Sequence, residues 1–133
     1  MRKELGQKLA RRWPSWFALA GNPRLSPMAR GFEHGDGWFD ILWRLCADLE
    51  PLVTELEKET GERFEAVQVK QKLGTLRFYV NHHTDAIDGR IAEAQEESSR
   101  TCEICGQPGK QRETGGWVRA RCDKHAQSPL CTG

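Results

Sequence analysis

Two short runs near the end of the chain carry the clearest chemistry. Cys102-Glu103-Ile104-Cys105 is followed, after a sixteen-residue gap, by Cys122-Asp123-Lys124-His125. Each run offers two donors separated by two residues, the spacing that presents one edge of a metal tetrahedron. Three thiolates and one imidazole suit a single structural Zn²⁺. Four protein donors leave no vacant position for substrate, so the expected role is to hold shape and not to catalyse. Gly106 suits the tight backbone just after the second thiolate. Cys131 is the rival fourth ligand. The C-x₂-H spacing mirrors C-x₂-C and favours His125, which leaves Cys131 as a free thiol in a loose tail. Cysteines grouped in this way with a histidine point to thiolates in a reducing cytosol and away from disulfides.

Other groups are open to two readings. Gly31 to Trp38 sets Glu33, His34 and Asp36 between glycines. His34 and Asp36 could be acid–base partners of a small enzyme. The simpler reading is a tight turn, a helix capped by Asp36 and an aromatic anchor at Trp38. His82, His83 and Asp85 could attract a second metal, but adjacent residues leaving a strand point in opposite directions. Lys70, Lys72, Arg77 and Tyr79 would share one face of a hairpin, where cations could take phosphates and the ring could stack on a base. Arg119, Arg121 and Lys124 could extend that patch. The alternative is a solvated sheet face paired with acidic helices. Of the five tryptophans, Trp13 and Trp16 follow a short basic helix and are the two expected at the surface, where they would be partner-binding positions. Cys46 reads as a small core residue.

Charge is arranged in blocks along the chain. Seven Lys/Arg and one acid in residues 1–30 give way to nine acids and two bases in 31–62, and the sign alternates thereafter to a net of +1. There is no bulk attraction to nucleic acid, and the blocks can neutralise one another in the fold. No apolar run approaches the ~20 residues needed to cross a bilayer, and the first residues lack the pattern of a secretion signal.

The elements that must position these groups follow from periodicity. Leu5 and Leu9 mark a basic helix over about residues 2–12, and Pro and Gly punctuate a loop over 21–31. Trp38, Leu42, Leu45, Leu49, Leu52 and Leu56 recur at three- and four-residue steps in the clearest helix, with Asp40 in its first turn and Gly61 as its stop. Pro51 should kink that helix or break it in two. Residues 64–80 alternate as a β-hairpin turning at Leu73-Gly74, with Val67 and Val69 on one face. Thr84 should cap a helix over about 85–99 with Ile87, Ile91 and Ala94 inward. A turn at Gly115-Gly116 and a strand from Trp117 lie between the ligand pairs.

Taken in order, the run Gly31 to Phe39, the run Val67 to Val80, and Cys102-Glu-Ile-Cys105-Gly106 with Gly116-Trp117 and Cys122 to His125 resemble a family of small proteins encoded by bacteriophages and prophages. The resemblance covers about residues 13–126. It departs from the family's pattern at His34, where Cys is more frequent, and at Leu73, where an aromatic is. It implies a phage or prophage origin and a bacterial cytoplasm. It also implies a protein that acts by binding, blocking or redirecting host machinery such as defence systems.

The combined expectation is an α+β fold: helices around a small antiparallel hairpin sheet over residues 1–100, with a C-terminal zinc-ribbon or treble-clef-like unit over 101–133 packed on it. The expected function is non-catalytic binding of a host protein or nucleoprotein complex. Nucleic-acid binding through Lys70, Lys72, Arg77, Arg119 and Arg121 is the second reading, and an enzyme using His34 and Asp36 the third.

Overall fold

A computed structural model describes residues 1–18 and 27–127. Residues 21–26 of the expected 21–31 loop, and Cys131, lie outside the described residues. Helix α1 (Lys3–Arg12) is followed by a 3₁₀ turn over Pro27–Arg30, a two-residue strand β1 (Phe32–Glu33) and a 3₁₀ turn over Asp36–Trp38. Helix α2 (Phe39–Thr60), strands β2 (Ala66–Lys72) and β3 (Thr75–Val80), helix α3 (Asp85–Ser99) and strands β4 (Lys110–Thr114) and β5 (Trp117–Arg121) complete the order. The fold is mixed helix and sheet, as expected for α+β. No helix is long and apolar enough to cross a membrane.

The main sheet is mixed and not purely antiparallel. β2 and β3 form the expected hairpin, but β1 adds to the free edge of β2 in parallel, pairing Phe32 with Val69 and Glu33 with Lys70. Phe32–Glu33, expected as part of a turn, is therefore an edge strand. Helix α3 covers the other edge: the Leu76 amide of β3 donates to the Ser98 hydroxyl at 2.8 Å. The strand alternation breaks at one point. A bulge between Ala66 and Gln68 puts Ala66 and Val69 inward and leaves Val67 half-buried.

The core lies between α2 and the inner face of this sheet. Leu42, Leu45, Cys46, Leu49 and Val53 of α2 are buried with Phe64, Val69, Leu76, Phe78 and Ile87. Burial pushes the Cys46 thiol pKa up, as an apolar site should. Helix α2 runs unbroken through Pro51. Both Pro51 and Ala47, whose carbonyl loses its amide donor, face solvent, so water can replace the missing bond. Gly61 closes α2 in the left-handed conformation (φ 71°), and the Thr84 hydroxyl caps α3 by accepting from the Ile87 amide.

Trp13 and Trp16 are core residues, contrary to the expectation that they face solvent: they are 4% and 5% exposed. The chain turns at Pro14 immediately after α1 and folds the next residues inward. Trp13 stacks on Trp16 and meets Trp43 edge-on at 4.9 Å, while Trp16 meets Phe64 at 5.2 Å. The Trp16 carbonyl accepts from the Ala66 amide, which ties this turn to the start of β2. The basic character of α1 is satisfied elsewhere, as where Arg12 covers the Trp13 ring and pairs with Glu50.

Candidate metal centre and hairpin surface

Cys102 and Cys105 sit on a backbone knuckle closed by hydrogen bonds from the Gly106 amide to the Cys102 carbonyl and from the Cys102 amide to the Gln107 carbonyl. Gly106 takes φ 81°, a conformation that a side chain would penalise. The β4–β5 hairpin then returns the chain to Cys122, and a 3₁₀ turn over Asp123–His125 presents the second pair. The four donor atoms lie within 4.8 Å of one another. Cys105 Sγ is 3.7 Å from Cys122 Sγ, and His125 Nδ1 is 3.7 Å from Cys102 Sγ and 3.2 Å from Cys122 Sγ. These side chains can hold one metal ion, and among the described residues no other such group comes together.

The electrostatics favour a cation at the centre. Burial raises the Cys102 thiol, but the amides of Cys105, Cys122 and Ile104 point at its sulfur and more than offset this, bringing its pKa down to about 6. Burial and the neighbouring sulfurs of Cys122 and Cys102 push Cys105 up. Crowded thiolates repel one another, and a shared cation removes that penalty.

The knuckle is seated in a socket made by the Gly35-Asp36-Gly37-Trp38 run. Glu103, between the two cysteines, is buried, and its carboxylate accepts from the Gly35 amide at 2.9 Å and pairs with buried Arg121 at 3.4 Å. Its backbone carbonyl accepts from the Gly37 amide, and its amide donates to the Ala120 carbonyl. The Trp38 indole donates to the Thr101 carbonyl at 3.0 Å. A Cβ at Gly37 would collide with the Cys102 carbonyl and the Gly106 amide, so glycine is required there by close approach. This interlock was not read from the sequence. Its signal is an acid between two ligand cysteines and two glycines flanking one residue upstream of a tryptophan.

That interlock corrects several expectations. Arg121 is buried against Glu103 and is not a surface cation. Asp36 does not cap α2, which begins at Phe39 without a side-chain cap; its carboxylate instead accepts from the Arg2 amide and pairs with the Arg2 guanidinium at 2.8 Å. His34 is buried, with Nδ1 donating to the Gly35 carbonyl at 2.9 Å. Burial lowers its pKa to about 4, and the Gly35 bond opposes that only in part. His34 and Asp36 thus face different partners. His82 pairs with Glu62 and His83 with Asp88, so those rings also diverge.

Lys70, Lys72, Arg77 and Tyr79 do share the outer face of β2–β3, where the register pairs Lys70 with Arg77, Gln68 with Tyr79 and Lys72 with Thr75. None of these cations, nor Arg119, has a carboxylate partner among the described residues. The expected pairing with acidic helices does not occur: the carboxylates of Glu50, Glu97, Glu93 and Glu96 are engaged by Arg12, Arg44, Arg90 and Arg100. The tryptophan at the surface is Trp117, 62% exposed, with the Arg119 guanidinium over its ring at 5.2 Å. The two hairpins meet tip to side. Gly74 lies against Val118 and Arg119, and Gln111 donates to the Leu73 carbonyl at 2.9 Å. Comparison with family models, curated proteins and solved structures gives no match, so the reading of this site rests on its own geometry.

Proposed function

We propose that this chain is a non-catalytic binding protein whose C-terminal unit, of zinc-ribbon or treble-clef-like form, is held by one structural zinc. The observation that carries the reading is the four-donor cluster itself. A tetrahedral ion with Zn–S bonds of ~2.3 Å has S···S edges of about 3.8 Å, and the Cys105–Cys122 separation is 3.7 Å. Three soft thiolates with one imidazole select zinc over hard cations. Bound there, zinc supplies a cross-link between knuckle and 3₁₀ turn, and four protein donors fill its coordination. The buried Glu103–Arg121 pair locks that cross-link to the rest of the fold.

Binding is supported by what lies outside the cluster: an exposed tryptophan and unpaired cations on two adjoining hairpins. The resemblance to phage and prophage proteins makes a host protein or nucleoprotein complex the natural partner, with interference in host defence as the biological setting. The burial of His34 gives an acid–base role no support.

Elemental analysis of purified protein should give one equivalent of zinc, and Cys105→Ser should lose both the zinc and the order of the C-terminal unit. Metal-free protein with an intact fold, or an ion carrying an exchangeable water, would overturn the reading.

A further inference from the structure

We propose that the outer faces of the two hairpins together bind single-stranded nucleic acid, with phosphates on Lys70, Lys72, Arg77 and Arg119 and bases stacked on Tyr79 and Trp117. The inference rests on the reading of this chain as a non-catalytic binder and names the chemistry of its partner.

Three observations converge. The large apolar side chains left exposed among the described residues are Leu73, Tyr79 and Trp117, and all three lie on these hairpins. The same surfaces carry four cations without a carboxylate partner among the described residues; cations elsewhere, such as Lys3, Arg11, Lys58 and Arg63, also lack one, so what sets these four apart is the exposed rings beside them. Cations without a carboxylate partner beside exposed rings favour a partner that brings its own negative charge. Third, the aromatic and cationic groups are interleaved. The Arg119 guanidinium lies over the Trp117 ring, and Arg77 and Tyr79 are two residues apart on one strand face, so their side chains project in the same direction.

Exposed rings beside cations suit a partner with planar faces and regularly spaced phosphates. A single strand offers both. In a duplex the base faces are already stacked and out of reach. An acidic protein segment would satisfy the cations and leave the rings unexplained. The acids near this surface are few. Glu33 lies beside Lys70 in the strand register and is engaged by Gln68, Asp88 lines the cleft beside Arg77 and Tyr79 and is paired with His83, Glu113 sits opposite Val118, and Asp123 is paired with Arg112. The Leu73–Gly74 tip packs on the side of β4–β5 that carries Gln111 and Val118, while Trp117 and Arg119 project from its other side, so a strand that contacts both sets passes around the edge of β4–β5.

The test is fluorescence anisotropy with zinc-loaded protein and labelled mixed-sequence 20-mers, as single-stranded DNA, single-stranded RNA and duplex DNA. Binding to at least one single strand should be tighter than to duplex. With four phosphate contacts the affinity should fall about fifty-fold between 50 and 200 mM salt. Trp117→Ala should weaken binding roughly tenfold or more, and so should Lys70→Glu combined with Arg77→Glu, while Lys58→Glu on α2 should have no effect. The DNA and RNA arms decide which strand is preferred. Zinc content and thermal melting of each variant show whether it is folded, and Tyr79→Ala is a second stacking variant should Trp117→Ala disturb the hairpin. Absence of binding by zinc-loaded protein at 50 mM salt, equal affinity for duplex, or insensitivity to these substitutions would overturn the proposal. So would a nuclease-resistant host protein partner lost on the same substitutions. A missing zinc equivalent would instead fail the structural reading, so the two failures are separable.

Discussion

The two hairpins are stabilised by opposite means. β2–β3 turns Ala66, Val69, Leu76 and Phe78 onto α2 and α3, and burial of such side chains contributes about 1.5–3 kcal/mol for each large one. β4–β5 buries Ala120 and Arg121 and little else. Its place in the fold depends on polar links: the ligand cluster, the Glu103–Arg121 pair and the glycine socket. The difference teaches why a metal site stands beside a hydrophobic core in so short a chain. A hairpin with Lys110, Gln111, Arg112, Glu113 and Thr114 on one strand has little apolar surface to bury, and a metal held by the ligand cluster would supply a cross-link in its place. Both hairpins are thereby free to keep charged and aromatic side chains outside.

Removing the metal should separate the two most sharply. Zinc in small domains supplies about 10–16 kcal/mol of apparent folding energy. A chelator should therefore abolish amide protection in β4–β5, while β2–β3, measured by hydrogen exchange, keeps most of its protection. Equal loss in both hairpins would mean that the core also depends on the metal.

Next in size is the buried pair. Arg121→Ala leaves the Glu103 carboxylate buried without its cation, which costs about 3–5 kcal/mol. Combining Arg121→Met with Glu103→Gln should recover much of that in a denaturant melt, because the Gly35 amide still has an acceptor. A single variant as stable as the parent would show that the pair is dispensable.

His34 gives a smaller, pH-dependent effect. Its folded pKa, about 4, lies below the ordinary 6.5, so the unfolded chain takes up the proton first. The stability from keeping it neutral is complete above pH 6.5 and is lost as pH falls towards 4, by about 3 kcal/mol in all. The cause is local: Nε2 is buried against Phe32 and Trp38 with no partner among the described residues. Protonation of the ligand thiols would weaken any metal bound there as pH falls, so the readout is the difference between parent and His34→Leu. That variant should lose less stability than the parent between pH 6.5 and 4.5. Parallel curves would remove His34 as the cause.

The smallest effect lies at the turn. Leu73 adopts φ 53° while 60% exposed, a left-handed conformation that costs a leucine about 1–2 kcal/mol. Leu73→Asn should raise the melting temperature by a few degrees, since Asn-Gly suits a turn with two left-handed residues. No gain would show that the Gln111 contact already compensates for the strain.

What the residues alone determined is what depends on near neighbours along the chain. The C-x₂-C and C-x₂-H runs, the α2 stripe, the Thr84 cap and the Leu73-Gly74 turn were legible because each is set by a spacing of a few residues. Tertiary structure decided what depends on distant partners. Trp13 and Trp16 went inward because Trp43 and Phe64 were there to receive them. Arg121 was withdrawn from the surface by an acid eighteen residues earlier, and Gly37 was required by a knuckle more than sixty residues away. Local periodicity encodes which face of an element is apolar. It carries no record of which buried charge or backbone will be pressed against that element, because those contacts form only when the chain closes on itself.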